Sequence, residues 1–441
     1  MRAADLATAR VAIWGQGREG QAAVRYLRAR HPTLPLLLLD EAEAAQRRGE
    51  YDNVECVHGG AAIARALHRI DVLVKSPGVS LYRPEIEAAR RNGVEITSLL
   101  NLWFADQDGI KTICVTGTKG KSTTASLIAR ILARLGRRVA LAGNIGVPVT
   151  EIDHKAVDFA VIEVSSYQAA DFAGTCDIAV LTSLFPEHLD WHRSLVAYYR
   201  DKLNLLRHSR CAIADPAAAP AAGIAQYRFN DTDALHSRGS EILDGRRLIG
   251  HVDNRYLARP HNLSNVCAAL TVAKLLGFDP GAALDATREF RALPHRQQEI
   301  GEIDGLLYVD DSISTAPEST LAALEVYAGR DITLILGGYD RGIDYAKLVE
   351  RLADGAATAV LCLGASGERI GAALAASPAH PNTILAQSMA AAVIHAKRIT
   401  PRGGVVLLSP AAPSYGAYRD FAERGRDFAA KAGFAAGEED A

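Results

Sequence analysis

The sequence predicts an α/β protein with mainly parallel sheets, its 441 residues divided into three domains. Three observations support this. Short apolar runs alternate with longer amphipathic segments from end to end, the pattern of strands joined by crossover helices. The alternation restarts twice, at Lys111 and again after RALPHR (291–296). A chain of this length also exceeds what one ordinary core supports. The expected domains are 1–105, 106–295 and 296–441.

In order along the chain, VAIWG (11–15), LPLLLLD (34–40), VLVKSPG (72–78) and KTICVTG (111–117) read as buried strands ending at glycine or a polar residue. QAAVRYLRARH (21–31) and PEIEAARRNG (84–93) read as the helices between them. The last set of strands is LLYVDDS (306–312), DITLILGG (331–338), AVLCLG (359–364) and GVVLLSP (404–410). The stretch 212–231, rich in Ala, Pro and Gly, is expected to be a surface excursion inside the middle domain. The tail GEEDA (437–441) is expected to fray.

Composition narrows the function. Apolar residues make up 49% and charged residues 23%, as in ordinary globular proteins. The net charge of −2 gives no broad field for nucleic acid or anionic lipid, so an anionic ligand needs a local site. The six cysteines (Cys56, Cys114, Cys176, Cys211, Cys267, Cys362) form no CxxC pair and read as small buried hydrophobes. No signal peptide and no run of about 18 apolar residues is visible, so a cytoplasmic monomer without membrane or nucleic-acid partners is expected.

The strongest local signal is ICVTGTKGKSTTASL (113–127). An apolar strand enters a glycine-rich loop that opens a helix. Such a loop offers backbone N–H groups and a helix N-terminus to phosphate. This predicts a central domain like a P-loop ATPase, with Gly117, Thr118, Lys119, Gly120, Lys121, Ser122 and Thr123 around ATP. Lys121 would reach the outer phosphates and Ser122 or Thr123 would face Mg2+. Two residues rather than four separate the loop glycines, a narrower form than the general pattern. Nearer the N-terminus, GQGREG (15–20) follows a strand, and Asp40 closes the next one, a Rossmann-like signature. On its own this pattern also fits a nicotinamide cofactor.

TGTKGKSTT resembles the ATP loop of the Mur ligases and of the folylpolyglutamate synthases. GNIG (143–146), EVSSYQ (163–168), EHLDWH (187–192), RPHNLSN (259–265), LPHR (293–296), DDS (310–312), LGG (336–338) and the segment 407–425 follow in Mur ligase order. The folylpolyglutamate enzymes lack the N-terminal GxGxxG domain, and the chain offers no hydride chemistry. The resemblance therefore implies three domains: a Rossmann-like UDP-substrate domain, the central ATPase-like domain, and a Rossmann-like C-terminal domain. It assigns Gly15, Gly17, Arg18, Glu19, Asp40, Ser76, Pro77, Gly78 and Asn144 to the UDP substrate. It assigns Asn262, Asn265, Arg296 and Asp311 to ATP. It makes Ser122, Glu163, His188 and Lys202 ligands of Mg2+, Lys202 as a carbamate. Glu187 stands where the family commonly has Asp.

The resemblance is closest to the glutamate-adding branch, which joins glutamate to UDP-N-acetylmuramoyl-L-alanine. Thr315, Ser414 and Phe421 match its amino-acid pocket. Ile313 replaces a lysine common in D-glutamate-adding relatives, and Arg341 replaces another. Lost and widened cations must move the partner carboxylates, so L-glutamate is favoured over the alternative, D-glutamate. A catalytically silent nucleotide-binding regulator is the alternative of another class; Lys121, Lys202 and His188 argue for catalysis. Lys121→Ala is expected to abolish ligation, read as phosphate release in the presence of both co-substrates.

Overall fold

The computed structural model describes residues 1–41, 53–218, 223–291, 293–377 and 381–435. The chain forms two compact units, Met1–Phe290 and Arg291–Ala441.

The first unit opens with β1 (Val11–Trp14), β2 (Leu36–Asp40), β3 (Val54–His58), β4 (Val72–Lys75) and β5 (Glu95–Thr97). They form an all-parallel sheet in the order β3-β2-β1-β4-β5. The order reverses at β1, so the loop after β1 lies at a switch point, where open α/β sheets bind ligands. A second parallel sheet holds β6 (Lys111–Thr116), β7 (Val139–Gly143), β8 (Phe159–Glu163), β9 (Cys176–Leu181), β10 (Ser209–Ala214) and β11 (Tyr227–Arg228). Its order is β11-β10-β9-β6-β8-β7, which puts the glycine loop after β6 between the ends of β8 and β9.

The helix Leu99–Asp106 joins these two sheets. Its sequence LLNLWFAD is apolar nearly all round, and five of its residues, including the fully buried Trp103, are inside. A helix without a polar face must be covered on every side. One apolar cluster accordingly runs from Val11 and Leu27 through Trp103 to Cys114 and Leu206.

The stretch 212–231 is the expected surface excursion only between its strands: the described residues from 215 to 228 are mostly exposed or half-buried, but its start is a buried strand. Ala212, Ile213 and Ala214 are buried in β10, and β11 pairs in parallel with Ile213 and Ala214. Small apolar side chains let this edge pack closely, which composition alone read as looseness. Residues 219–222 of that stretch, and the tail GEEDA, lie outside the described residues. An antiparallel sheet of β12 (Leu235–Arg238), β13 (Glu241–Asp244) and β14 (Arg247–His251) went unpredicted. Its Asp244-Gly245 turn, with Gly245 at φ +58°, is a hairpin signal that could have been read.

The second unit is built on β15 (Gln298–Ile303), β16 (Leu306–Asp310), β17 (Ile332–Gly337), β18 (Ala359–Leu363), β19 (Asn382–Leu385) and β20 (Val405–Leu408), in the order β15-β16-β20-β17-β18-β19. Only β15 runs antiparallel among these paired strands. Just past β16, Asp311 is 1% exposed and accepts from Ser314 Oγ (2.6 Å), Ser409 Oγ (2.8 Å) and Gln297 N (3.1 Å). Burial outweighs these bonds and lifts its pKa from 3.8 to about 6.

A carboxyl whose folded pKa is raised stabilises the fold while protonated. That contribution is full below about pH 4 and is lost as pH rises through about 6, amounting to about 3 kcal/mol. Urea unfolding of the protein and of Asp311→Asn across pH 4–7 should show a shallower decline in the variant. Equal slopes would contradict the assignment.

Candidate active site

β6 delivers the chain into Gly117 (φ +152°) and Gly120 (φ +86°), which side chains could not replace. A Cβ on Gly117 would lie 2.0 Å from Thr182 Oγ1, and one on Gly120 2.4 Å from Asn265 Oδ1. The end of β9 clamps the loop: Thr118 N donates to Ser183 O (2.8 Å), Lys119 N to Ser183 Oγ (2.9 Å), and Thr182 Oγ1 to Lys119 O (2.5 Å). The helix Lys121–Arg134 starts at once, with Ser122 and Thr123 buried in its first turn. The positive end of this helix suits phosphate.

Two lysines converge on one oxygen. Lys121 Nζ donates to Gly117 O (2.9 Å) and Thr118 O (3.0 Å), while Lys202 Nζ donates to Gly117 O (2.7 Å). Lys202 arrives from the helix Leu195–Arg207 and is 1% exposed. Burial, then the charge of Lys121, pulls its pKa well below 10.5; Glu187 and Glu163 oppose this without reversing it.

Glu163 ends β8, beside β6. It is 1% exposed; Asn144 Nδ2 donates to its Oε1 (2.7 Å), while Oε2 has no hydrogen-bond partner. A buried carboxylate oxygen without a donor calls for a cation or water. Asn144, expected at the UDP substrate, thus also orients the carboxylate. His188 lies in a left-handed turn (φ +54°), its Nε2 3.6 Å from Glu187 Oε2. Burial first, then Lys202 and Lys121, lower its pKa against the pull of Glu187, which leaves the ring free to act as a ligand. The longer Glu187 reaches Lys119 Nζ at 2.7 Å, and this pair outweighs burial to hold the carboxyl below its ordinary range.

Among the described residues no three His, Cys, Asp or Glu side chains gather as a metal cluster. Mg2+ does not need one: it keeps waters and phosphate oxygens and takes one or two carboxylates. An orphaned Glu163 oxygen, the hydroxyl of Ser122 and the ring of His188 fit that ion.

Asn262 and Asn265 sit behind the loop. Asn265 Oδ1 accepts from Thr124 Oγ1 (3.1 Å), its Nδ2 donates to Asn262 Oδ1 (3.1 Å), and Asn262 Nδ2 donates to Tyr256 O (2.9 Å). These bonds engage both amides within the protein, where they brace Gly120.

The loop after β1 is equally tight. Gly15 has φ +111°, and a Cβ on Gly20 would meet Gly15 O at 1.8 Å. Asp40 Oδ2 accepts from Gln16 N (2.9 Å), closing the turn. Gln16 Nε2 and Ser76 Oγ are buried without partners, two polar atoms held ready for a ligand. Arg18 donates to Gly146 O, and Glu19 accepts from Gln168 Nε2 (2.8 Å). Gly17 and Gly78 stand in open space, and Pro77 O accepts from Trp191 Nε1 (3.2 Å). Lys75, expected with Ser76, Pro77 and Gly78 around the UDP diphosphate, has its ammonium 3.3 Å from Asp171 with both side chains buried, a pairing that sequence reading missed. A lysine inside a strand ending VLVK was the available signal.

In the second unit Arg341 Nη2 donates to Thr315 O (2.9 Å), which ties the 339–342 turn to the DSISTAP loop. Ser414 is buried and Phe421 is 37% exposed at the start of the helix Phe421–Ala432. Ile313 N donates to His295 O (3.1 Å), so its backbone is fixed even though its side chain carries no charge. Arg296 precedes Gln297, the residue whose N–H holds Asp311. Arg424, also missed, donates to Ser312 Oγ (3.0 Å), Ser312 O (2.7 Å) and Ala412 O (3.0 Å). Burial lowers its pKa to about 10, so it stays charged and locks the loop to the helix.

The Mur ligase MurD-like N-terminal domain matches residues 9–98, the Mur ligase middle domain 115–273, and the Mur ligase glutamate ligase domain 295–412. The chain is 42% identical to the UDP-N-acetylmuramoyl-L-alanine–L-glutamate ligase of Xanthomonas axonopodis pv. citri, over 98% of this chain and 97% of that protein. A ligase of the same name from a Micromonospora strain is 42% identical over 97% of both. The fold matches UDP-N-acetylmuramate-alanine ligase MurC of Thermotoga maritima (TM-score 0.61, 17% identity, 96% of this chain and 99% of that one). It also matches MurF ligase of Thermotoga maritima in complex with ADP (TM-score 0.58, 16% identity, 97% and 98%). Among the described residues no helix is long and apolar enough to cross a membrane. With its three matched domains and near full-length relatives, the chain belongs to the Mur ligase family.

Proposed function

We propose that this Mur ligase joins L-glutamate to UDP-N-acetylmuramoyl-L-alanine at the expense of ATP, as a cytoplasmic monomer in peptidoglycan synthesis. The observation that carries this is the match to ligases of that name over 97–98% of the chain. The uncharged Ile313 and the Arg341–Thr315 contact support the same choice of amino acid. Residues 1–105 would hold the UDP moiety, 106–295 ATP, and 296–441 the glutamate.

The chemistry brings two anions together. A carboxylate oxygen of the alanyl group attacks the γ-phosphorus of ATP, and ADP leaves. The glutamate nitrogen then attacks the acyl carbon, loses a proton and expels inorganic phosphate. Lys121, freed from Gly117 O and Thr118 O, neutralises phosphate oxygens during the first step. Mg2+, held by Ser122, Glu163, His188 and modified Lys202, would supply further charge neutralisation. Positioning and charge, rather than covalent participation by the protein, lower the barrier.

The buried Lys202, whose pKa burial and the charge of Lys121 pull down, suits carbamoylation. Its nitrogen attacks CO2, an N–C bond forms, and a proton departs. The product anion faces the ammonium of Lys121, which attracts it. Protein equilibrated with 13C-bicarbonate should give a carbamate signal that is missing from Lys202→Arg. Identical spectra would remove the carbamate from the metal site.

The amino acid is tested by assaying purified enzyme with each glutamate enantiomer. L-glutamate should be turned over at least about tenfold more efficiently, a difference of about 1.4 kcal/mol in transition-state binding. Turnover with D-glutamate alone would assign the chain to the other branch. ATP binding without turnover of either enantiomer would favour the silent regulator.

A further inference from the structure

Ser166, His192 and Asp201 make a hydrogen-bonded chain that the reaction above does not use. Ser166 Oγ lies 3.1 Å from His192 Nε2, and His192 Nδ1 lies 2.7 Å from Asp201 Oδ2. These distances match a nucleophile–base–acid triad. The burial does not: exposures are 4%, 0% and 4%. No substrate carbonyl can reach Ser166 Oγ, so the constellation has another use.

Its place in the chain indicates which. Ser166 lies three residues beyond Glu163, His192 four beyond His188, and Asp201 directly before Lys202. Each member therefore sits on a different segment, and each segment carries one candidate metal ligand. We propose that Ser166, His192 and Asp201 are positioning residues that hold the Glu163, His188 and Lys202 segments in register for Mg2+. This rests on the metal reading of those three ligands.

His188 shows why such a brace is needed. Its left-handed backbone is costly for a residue with a Cβ and persists only where the surroundings enforce it. The turn is closed by Trp191 N and His192 N donating to His188 O at 3.2 and 3.1 Å. Anchoring the His192 ring at both nitrogens pins that turn. An ionised carboxylate only accepts, so His192 Nδ1 donates to Asp201. Ion-holding sites use such partners to orient their ligands, and losing one typically costs about 10–100-fold in metal affinity or activity.

The chain continues into the N-terminal sheet's loop. Tyr82 OH donates to Asp201 Oδ2 (2.5 Å), and Ser80 Oγ donates to Trp191 O (2.8 Å). Tyr167 stacks on Trp191 with ring centroids 4.7 Å apart. The loop that follows Gly78 thus buttresses the same brace.

The test is a titration of Mg2+ into the protein with ADP and UDP-N-acetylmuramoyl-L-alanine bound, read by calorimetry, beside the same titration followed as ADP release at saturating MgATP and L-glutamate. Ser166→Ala removes one hydroxyl and should raise the half-saturating Mg2+ about tenfold or more, with KM for the UDP substrate little changed. His192→Asn keeps a donor toward Asp201 and should lose less than His192→Phe. Glu163→Gln is the control. A control that shifts the Mg2+ midpoint while Ser166→Ala and both His192 variants do not would overturn the inference alone; their loss would then be merely structural. A control that leaves the midpoint unchanged would sink the metal reading and this inference with it.

Discussion

Two ammonium groups share the carbonyl oxygen of Gly117, and much of the site follows from that crowding. Lys121 and Lys202 donate to one acceptor inside the protein, where the charge of each disfavours that of the other. Burial adds to this for Lys202, the more deeply buried, and holds its pKa well below the ordinary lysine value. The glycine loop thus sets a half-buried lysine beside a fully buried one whose charged form is disfavoured.

The surroundings are arranged to hold this pair. Gly117 and Gly120 bring backbone within contact of Thr182 and Asn265, so the loop has little freedom. The end of β9 accepts its N–H groups, and the end of β8 supplies Glu163. Both flank β6 because the sheet order reverses there. Parallel strands place all three ends on one side, so a carboxylate, a phosphate cradle and a lysine helix meet without any long connection. Residues expected to touch ligand, such as Asn265 and Asn144, carry part of this internal support.

Much of the architecture was legible in the sequence. Buried parallel strands read as continuous apolar runs, and VAIWG, KTICVTG and DITLILGG contain β1, β6 and β17. The glycine loop was legible because its conformation excludes other residues. In the stretch 212–231 the surface excursion was legible but the buried strand at its start was not, because alanine serves a close-packed strand as well as a loose loop. Lys75–Asp171 and Arg424 were invisible because burial of a charge depends on partners distant in the chain.

By itself, the sequence determined the α/β class, the glycine loop with its lysine, and the order of chemistry-bearing motifs. Each is a local property: strand patterning, turn conformation and residue type act over a few neighbours. Only the tertiary structure decided that burial disfavours the charge of Lys202, that Glu163 keeps an unpaired oxygen, and that Ser166, His192 and Asp201 join three segments. Desolvation and hydrogen-bond completion depend on what surrounds a group in space, and that is settled when the sheets and helices pack.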